Sequence, residues 1–242
     1  MAEFESIRST ARSDSSINID SGLRAHMNKV YGLMAVAMVI TGLVAWSIGT
    51  SPQLVGALFS NSIISLIVMF APLGFVFFLS ARVMKMSYSA GQLSFWLFSA
   101  LMGLSLSTIF VVYTGASIAN AFFTTAVAFG AMSLFGYTTK KDLSGMGRFL
   151  FMGVIGLIVA MIINWFTQSP GLEFAINVLG VLIFAGLTAY DTQNIKNTYL
   201  SIRNAPNGEE IAAKAGILGA LSLYINFLNM FMFLLQFMGN RE

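Results

Sequence analysis

Residues 57–81 read ALFSNSIISLIVMFAPLGFVFFLSA, a stretch without one charged side chain. A bilayer core of ~30 Å needs about 20 apolar residues in a helix, so this stretch is long enough to cross it. Six further runs meet the same requirement, roughly 28–50, 90–113, 116–137, 147–167, 172–195 and 211–238. Turn chemistry separates several of them at Ser51-Pro52, Ser169-Pro170-Gly171 and Pro206-Asn207-Gly208. Pro72 lies inside the second run with Gly74 close by, and a proline there removes a backbone hydrogen bond and predicts a kink. The fold expected is all-α, a polytopic membrane protein of seven helices.

Composition agrees. The chain has 242 residues, of which 57% are hydrophobic and 10% charged. Its mean hydropathy is +0.78. Soluble domains carry about 25% charged residues because water must solvate their surface. A soluble domain is therefore not expected: residues 1–27 read as a polar, disordered cytoplasmic tail rich in serine, and 28–242 as the transmembrane domain. The tail has no apolar core, so no cleavable leader is expected either. The net charge of +3 does not point to nucleic acid, because the basic residues fall in short loops rather than in a patch. With no cysteine and only His26 among histidines, thiolate and two-histidine metal sites are excluded, and neither a metal centre nor a cofactor is expected.

Charge placement predicts orientation. Lys and Arg next to membrane helices stay on the cytoplasmic side. Arg8, Arg12, Arg24 and Lys29 precede the first run, and Arg82 and Lys85 follow the second. Lys140, Lys141 and Arg148 lie between the fourth and fifth, and Lys196, Arg203 and Lys214 between the sixth and seventh. Of the 13 basic residues, all but Arg241 share one side. The N-terminus is thus expected inside and the C-terminus outside. Tyr31 and Tyr137 read as interfacial anchors inside, and Trp46, Tyr113 and Trp165 as anchors outside. Small residues four apart, Gly103/Ser107, Ala126/Gly130 and Gly156/Ala160, predict close helix packing.

Ionisable groups within a membrane cost about 2.5–3.5 kcal/mol on insertion scales, so each is a functional hypothesis. Asp191, in the sixth run, is the clear case. Helical spacing sets Asn177, Gly180, Phe184, Thr188 and Asp191 on one stripe. The seventh run carries another: Gly219, Ser222, Asn226, Asn229, Phe233 and Gln236. Two polar stripes in lipid should face each other or a water-filled path. The plainer reading is that their amides only join helices, at ~0.6 kcal/mol per hydrogen bond. Arg82 ends the second run on the side of Asp191, either to pair with it or as a snorkelling anchor. Asp142 reads as a helix cap, Glu173, Glu209 and Glu210 as acids at helix starts, and His26 as a solvated tail residue. No enzyme is indicated: a membrane aspartyl protease needs a second aspartate, a rhomboid-type protease a membrane histidine, and a retinal protein a lysine midway along its last helix.

Three segments resemble the Bax inhibitor-1 family, in particular its bacterial inner-membrane members. They are Gly136-Tyr137-Thr138-Thr139-Lys140-Lys141-Asp142-Leu143, Gly186-Leu187-Thr188-Ala189-Tyr190-Asp191-Thr192-Gln193 and Ala220-Leu221-Ser222-Leu223-Tyr224-Ile225-Asn226-Phe227-Leu228-Asn229. The resemblance implies a last helix at the centre, wrapped by the other six. It also implies a pH-sensitive calcium leak, in which carboxylates on the sixth and seventh helices sense protons and an arginine ending the second engages them. Asp191 matches the first carboxylate and Arg82 the arginine by position; Asn226 stands where the second carboxylate is expected. Two adjacent carboxylates share a proton, and an Asp–Asn pair lacks that coupling.

The expected function is a pH-sensitive, calcium-permeable leak channel or ion transporter of the inner membrane. Asp191, Asn226 and Arg82 form its path or sensor, with Thr188, Ser222 and Asn229 in support. With one carboxylate among amides, any Ca²⁺ site is weak, since Ca²⁺ takes 6–8 oxygen ligands; conduction tolerates that. The alternative is a regulatory protein without transport that modulates a membrane-anchored ATP-dependent protease through its tail.

Overall fold

The computed structural model describes the backbone of residues 2–240 and the side chains of residues 21–240. Arg241, the one basic residue set apart by the charge pattern, lies outside the described residues. The helices are α1 (Ala2–Gly49), α2 (Pro52–Phe59), α3 (Ser62–Arg82), α4 (Tyr88–Leu106), α5 (Ile109–Val112), α6 (Gly115–Thr138), α7 (Ser144–Thr167), α8 (Pro170–Ile202) and α9 (Gly208–Met238). Seven stretches are long and apolar enough to span a membrane: Ser21–Gly49, Ser62–Lys85, Tyr88–Val112, Gly115–Thr138, Ser144–Thr167, Pro170–Ile202 and Gly208–Met238.

The first span begins earlier than its hydropathy indicated. Leu23, Met27, Val30 and Met34 are buried along one side of α1, a row at helical spacing that starts within the supposed tail. His26 is accordingly half-buried, its ring stacked on Tyr199 with centroids 4.6 Å apart. It is a packed residue and not a solvated one. The exposed Arg24, Asn28 and Lys29 on the other faces hid this row from a composition reading. Ahead of Ser21 only the helical backbone of α1 is described.

The second run divides. Helix α2 ends at Phe59, and Asn61 starts α3, its side-chain oxygen accepting hydrogen bonds from the amides of Ile63 and Ile64. That carboxamide satisfies donors which a helix start leaves open. Helix α3 then continues through Pro72 to Arg82. Asp142, two residues before α7, accepts with its carboxylate from the amide of Ser144, the first residue of that helix, at 2.9 Å. Hydrogen bonds from Ser144 hold the Asp142 carboxyl below its ordinary range. Glu173, Glu209 and Glu210 lie in first turns, and Glu210 pairs with Lys214 at 2.7 Å.

Helix α9 is the centre. In its most apolar window 67% of residues are buried, against 39% for α8 and only 6% for α7. It packs against α1, α4, α6 and α8, whereas α3 leans chiefly on α4 and α7 chiefly on α8. The wrapping is therefore chiefly fourfold: the second span reaches the last helix mainly through its final turn, Val83–Lys85, and the fifth packs mainly on α8. Tyr224 sits at the heart of this packing with no exposure. Its hydroxyl bonds that of Thr41 at 2.6 Å, and Thr41 Oγ1 also donates to the Ser99 carbonyl at 2.9 Å. Phe95 and Phe98 meet the Tyr224 ring edge-on. One polar cluster thus ties α1, α4 and α9.

Of the three small-residue pairs, one closes a helix contact. A Cβ on Gly103 would meet the Thr41 carbonyl and the Val44 side chain, so α1 and α4 touch there. Gly130 and Gly156 have nothing within 4 Å of that position and face open surface instead. Tyr113 is also buried, beside Gly239, and does not serve as an exposed anchor; Trp46 and Trp165 are exposed.

Candidate functional site

The stripes on α8 and α9 face each other. Asn226 Nδ2 donates to Asp191 Oδ2 at 2.7 Å, both side chains being buried. An amide donor at that distance is a short, charge-assisted partner for a carboxylate. Two turns further along, Phe184 stacks on Phe233 with centroids 6.0 Å apart. A Cβ on Gly180 would collide with the Phe233 ring, so the glycine makes room for it. Beyond them Asn177 is buried, and its side-chain carbonyl oxygen has no hydrogen-bond partner.

Two cavities meet at Asp191 and Ser222. One, of about 180 Å³, lies toward the basic end and is lined by His26, Asn194, Thr198 and Gly219 together with Asp191 and Ser222. The other, of about 360 Å³, lies between α7, α8 and α9, and Asp191, Ser222, Asn226 and Asn229 line it among apolar side chains. Asp191 and Ser222 belong to both walls. Asn229 and Ile225 in turn separate the second cavity from a third of about 280 Å³ between α3, α4 and α9. A buried acid, an amide and a hydroxyl thus partition a series of spaces through the bundle.

The remaining candidates divide. The Thr188 hydroxyl donates to the Phe184 carbonyl at 2.8 Å within its own helix, and Asn229 Nδ2 to the Ile225 carbonyl at 2.9 Å. Both bonds are internal to their helices, and Asn229 lines two of the cavities. Gln236 is exposed. Arg82 is exposed at the end of α3 and lines neither cavity at Asp191. No ion pair joins Arg82 to Asp191. Among the described residues no three of His, Cys, Asp or Glu cluster to hold a metal.

Sequence reasoning missed what holds Asp191 in place. The Gly136 backbone presses against the Ala189 carbonyl, leaving no space for a Cβ. Gln193 grips the loop after α6, donating to the Lys141 carbonyl and accepting from the Leu143 amide, both at 2.8 Å. Lys196 Nζ donates to the Tyr137 carbonyl at 2.8 Å. The Thr192 hydroxyl meets that of Ser133 at 3.0 Å, and Ser133 meets Tyr31. The two motif segments are therefore two sides of one contact, which fixes the turn of α8 that bears the acid.

The family model described as "Inhibitor of apoptosis-promoting Bax1" matches residues 23–242. The chain belongs to the Bax inhibitor-1 family. Inner membrane protein YbhL of Escherichia coli K12 is 46% identical over 233 residues, covering 96% of this chain and 98% of YbhL. An uncharacterized protein of Caulobacter vibrioides is 44% identical over 244 residues, 97% of this chain and 96% of the relative. Protein RP147 of Rickettsia prowazekii, also uncharacterized, is 41% identical over 223 residues, 92% of each chain. With its seven spans and these relatives, this Bax inhibitor-1 family member is a multi-pass protein of the inner membrane.

Proposed function

We propose that this protein is a pH-sensitive, calcium-permeable leak of the inner membrane, gated where Asp191 meets Asn226. The observation that carries this reading is the position of Asp191 and Ser222 in the shared wall of two cavities. A carboxylate in such a wall attracts a cation when its hydrogen bond opens and blocks the way when it closes. The oxygens of Asn194, Thr198, Ser222 and Asn229 offer a cation neutral ligands on either side. One carboxylate with such partners is a weak site, and passage needs release as much as binding. The basic end faces the cytoplasm in this reading, following the positive-inside rule.

The test is Ca²⁺ uptake into liposomes holding the purified protein, across a range of pH. Uptake above that of empty liposomes is expected, with a pH dependence that Asp191→Asn abolishes. Uptake equal to empty liposomes would sink the transport reading. An unchanged pH profile in Asp191→Asn would remove Asp191 from the gate.

A further inference from the structure

Helices α1 and α6 both pack on α9 and touch each other where the Tyr31 hydroxyl meets that of Ser133, while elsewhere a groove runs between them. The space between them holds two cavities in series that share Tyr31 and Phe129. The one at the basic end, of about 520 Å³, is lined by Arg24, Asn28, Tyr31, Ser133 and Tyr137 beside apolar neighbours. The one deeper in the bundle, of about 610 Å³, is apolar: Met34, Met38, Gly42 and Phe122 form its walls, and Phe227 of α9 joins them. From these observations we propose that the groove between α1 and α6 binds one anionic phospholipid. The phosphate sits at Arg24 and one acyl chain lies in the deeper trough.

Three features of the groove choose this occupant. First, its polarity is graded along the bilayer normal, with a guanidinium, an amide and phenols at one end and hydrocarbon at the other. The α1 positions that line it, Arg24, Asn28, Tyr31, Ala35, Met38 and Gly42, recur every three or four residues, so they form one continuous face. Second, among the described residues no acidic side chain lines either cavity, and none pairs with Arg24. A guanidinium suits the bidentate hydrogen bonding that a phosphate accepts. Third, the trough has the length of one leaflet. Tyr31 to Leu43 is about 18 Å of helix, a little over half of a ~30 Å hydrocarbon core. Gly42 and Gly130 keep the walls open, since a Cβ at either meets nothing within 4 Å.

The experiment is native mass spectrometry of the full chain in detergent, titrated with phosphatidylglycerol or with phosphatidylcholine carrying the same acyl chains. One retained phosphatidylglycerol per chain is expected, with phosphatidylcholine about fivefold weaker, the worth of one arginine at a charged surface. Arg24→Ala should bring phosphatidylglycerol down to the phosphatidylcholine level. Gly42→Phe, which fills the trough, should weaken both lipids, and Gly130→Phe supplies the same test from the α6 wall. Arg203→Ala, at the same end but outside the groove, should retain phosphatidylglycerol as the unaltered chain does. Equal retention of the two lipids by the unaltered chain would overturn the proposal. So would unchanged phosphatidylglycerol binding in both Arg24→Ala and the groove-filling variants, which is the behaviour of annular lipid alone.

Discussion

The side-chain amide of Asn226 is held 2.7 Å from the carboxylate of Asp191, across the boundary between the central helix and the longest span packed on it. Both side chains are buried, and this bond is the direct polar contact that the structure gives each of them.

Replacing that amide by a second acid should couple the pair. In Asn226→Asp two carboxyls would sit at hydrogen-bond distance, and like charges so close cannot both ionise. The near-isosteric change should leave packing intact and move the pH midpoint of Ca²⁺ uptake upward. Uptake against pH in matched liposomes measures this; superimposable curves would show that the pair does not govern flux.

Removing the amide without replacement should cost stability. Asn226→Leu leaves a buried carboxylate without its donor, a loss of about 1.5–3 kcal/mol for a hydrogen bond to a charged group. The double variant Asp191→Leu/Asn226→Leu should recover much of it, because no buried acid then lacks a partner. Unfolding in mixed micelles compares the two, and equal losses would count against the argument.

Arg82→Ala should leave ion uptake unchanged. The guanidinium is exposed and is not paired with Asp191, so nothing at the acid depends on it. A rise in uptake on its removal would restore the latch that the family resemblance implies.

Tyr224→Phe should destabilise the bundle by about 0.6–1.7 kcal/mol, the measured range for hydrogen bonds between membrane helices. The ring contacts to Phe95 and Phe98 remain, and only the bond to Thr41 goes. Thr41→Val removes the bond to the Ser99 carbonyl as well, so it should cost more than Tyr224→Phe, and the two together little more than Thr41→Val alone.

Reporter fusions test the orientation. Those after Lys85, Lys141 and Arg203 should report the cytoplasm, and those after Gln53, Ser117 and Gln168 the other side. A fusion after Gln168 on the same side as one after Lys141 would mean that α7 does not span.

The seven spans were legible because each is a run of apolar residues long enough to cross a bilayer, a property that neighbours do not alter. The facing of Asp191 and Asn226 was legible too, since helical spacing sets polar groups on stripes and lipid leaves such stripes one place to go. What spacing does not tell is which neighbour a face meets. Gly103 and Gly156 each sit four residues from another small residue, yet one touches α1 and the other faces open surface. Arg82 likewise matches its family position by count along the chain, while its distance from Asp191 depends on how α3 leans on α4. Gln193 carried no signal because its partners are backbone groups of a loop fifty positions earlier.

Synthesis order gives the central position of α9 a further meaning. Chains are made from the N-terminus, and a bundle cannot consolidate around an axis that does not yet exist. Until Gly208–Met238 emerges, Asp191 waits in lipid without Asn226, and Thr41 without the Tyr224 hydroxyl. Arrival of α9 meets both hydrogen-bonding needs in one event, so the packing of α1 and α8 around these groups consolidates only once it is in place.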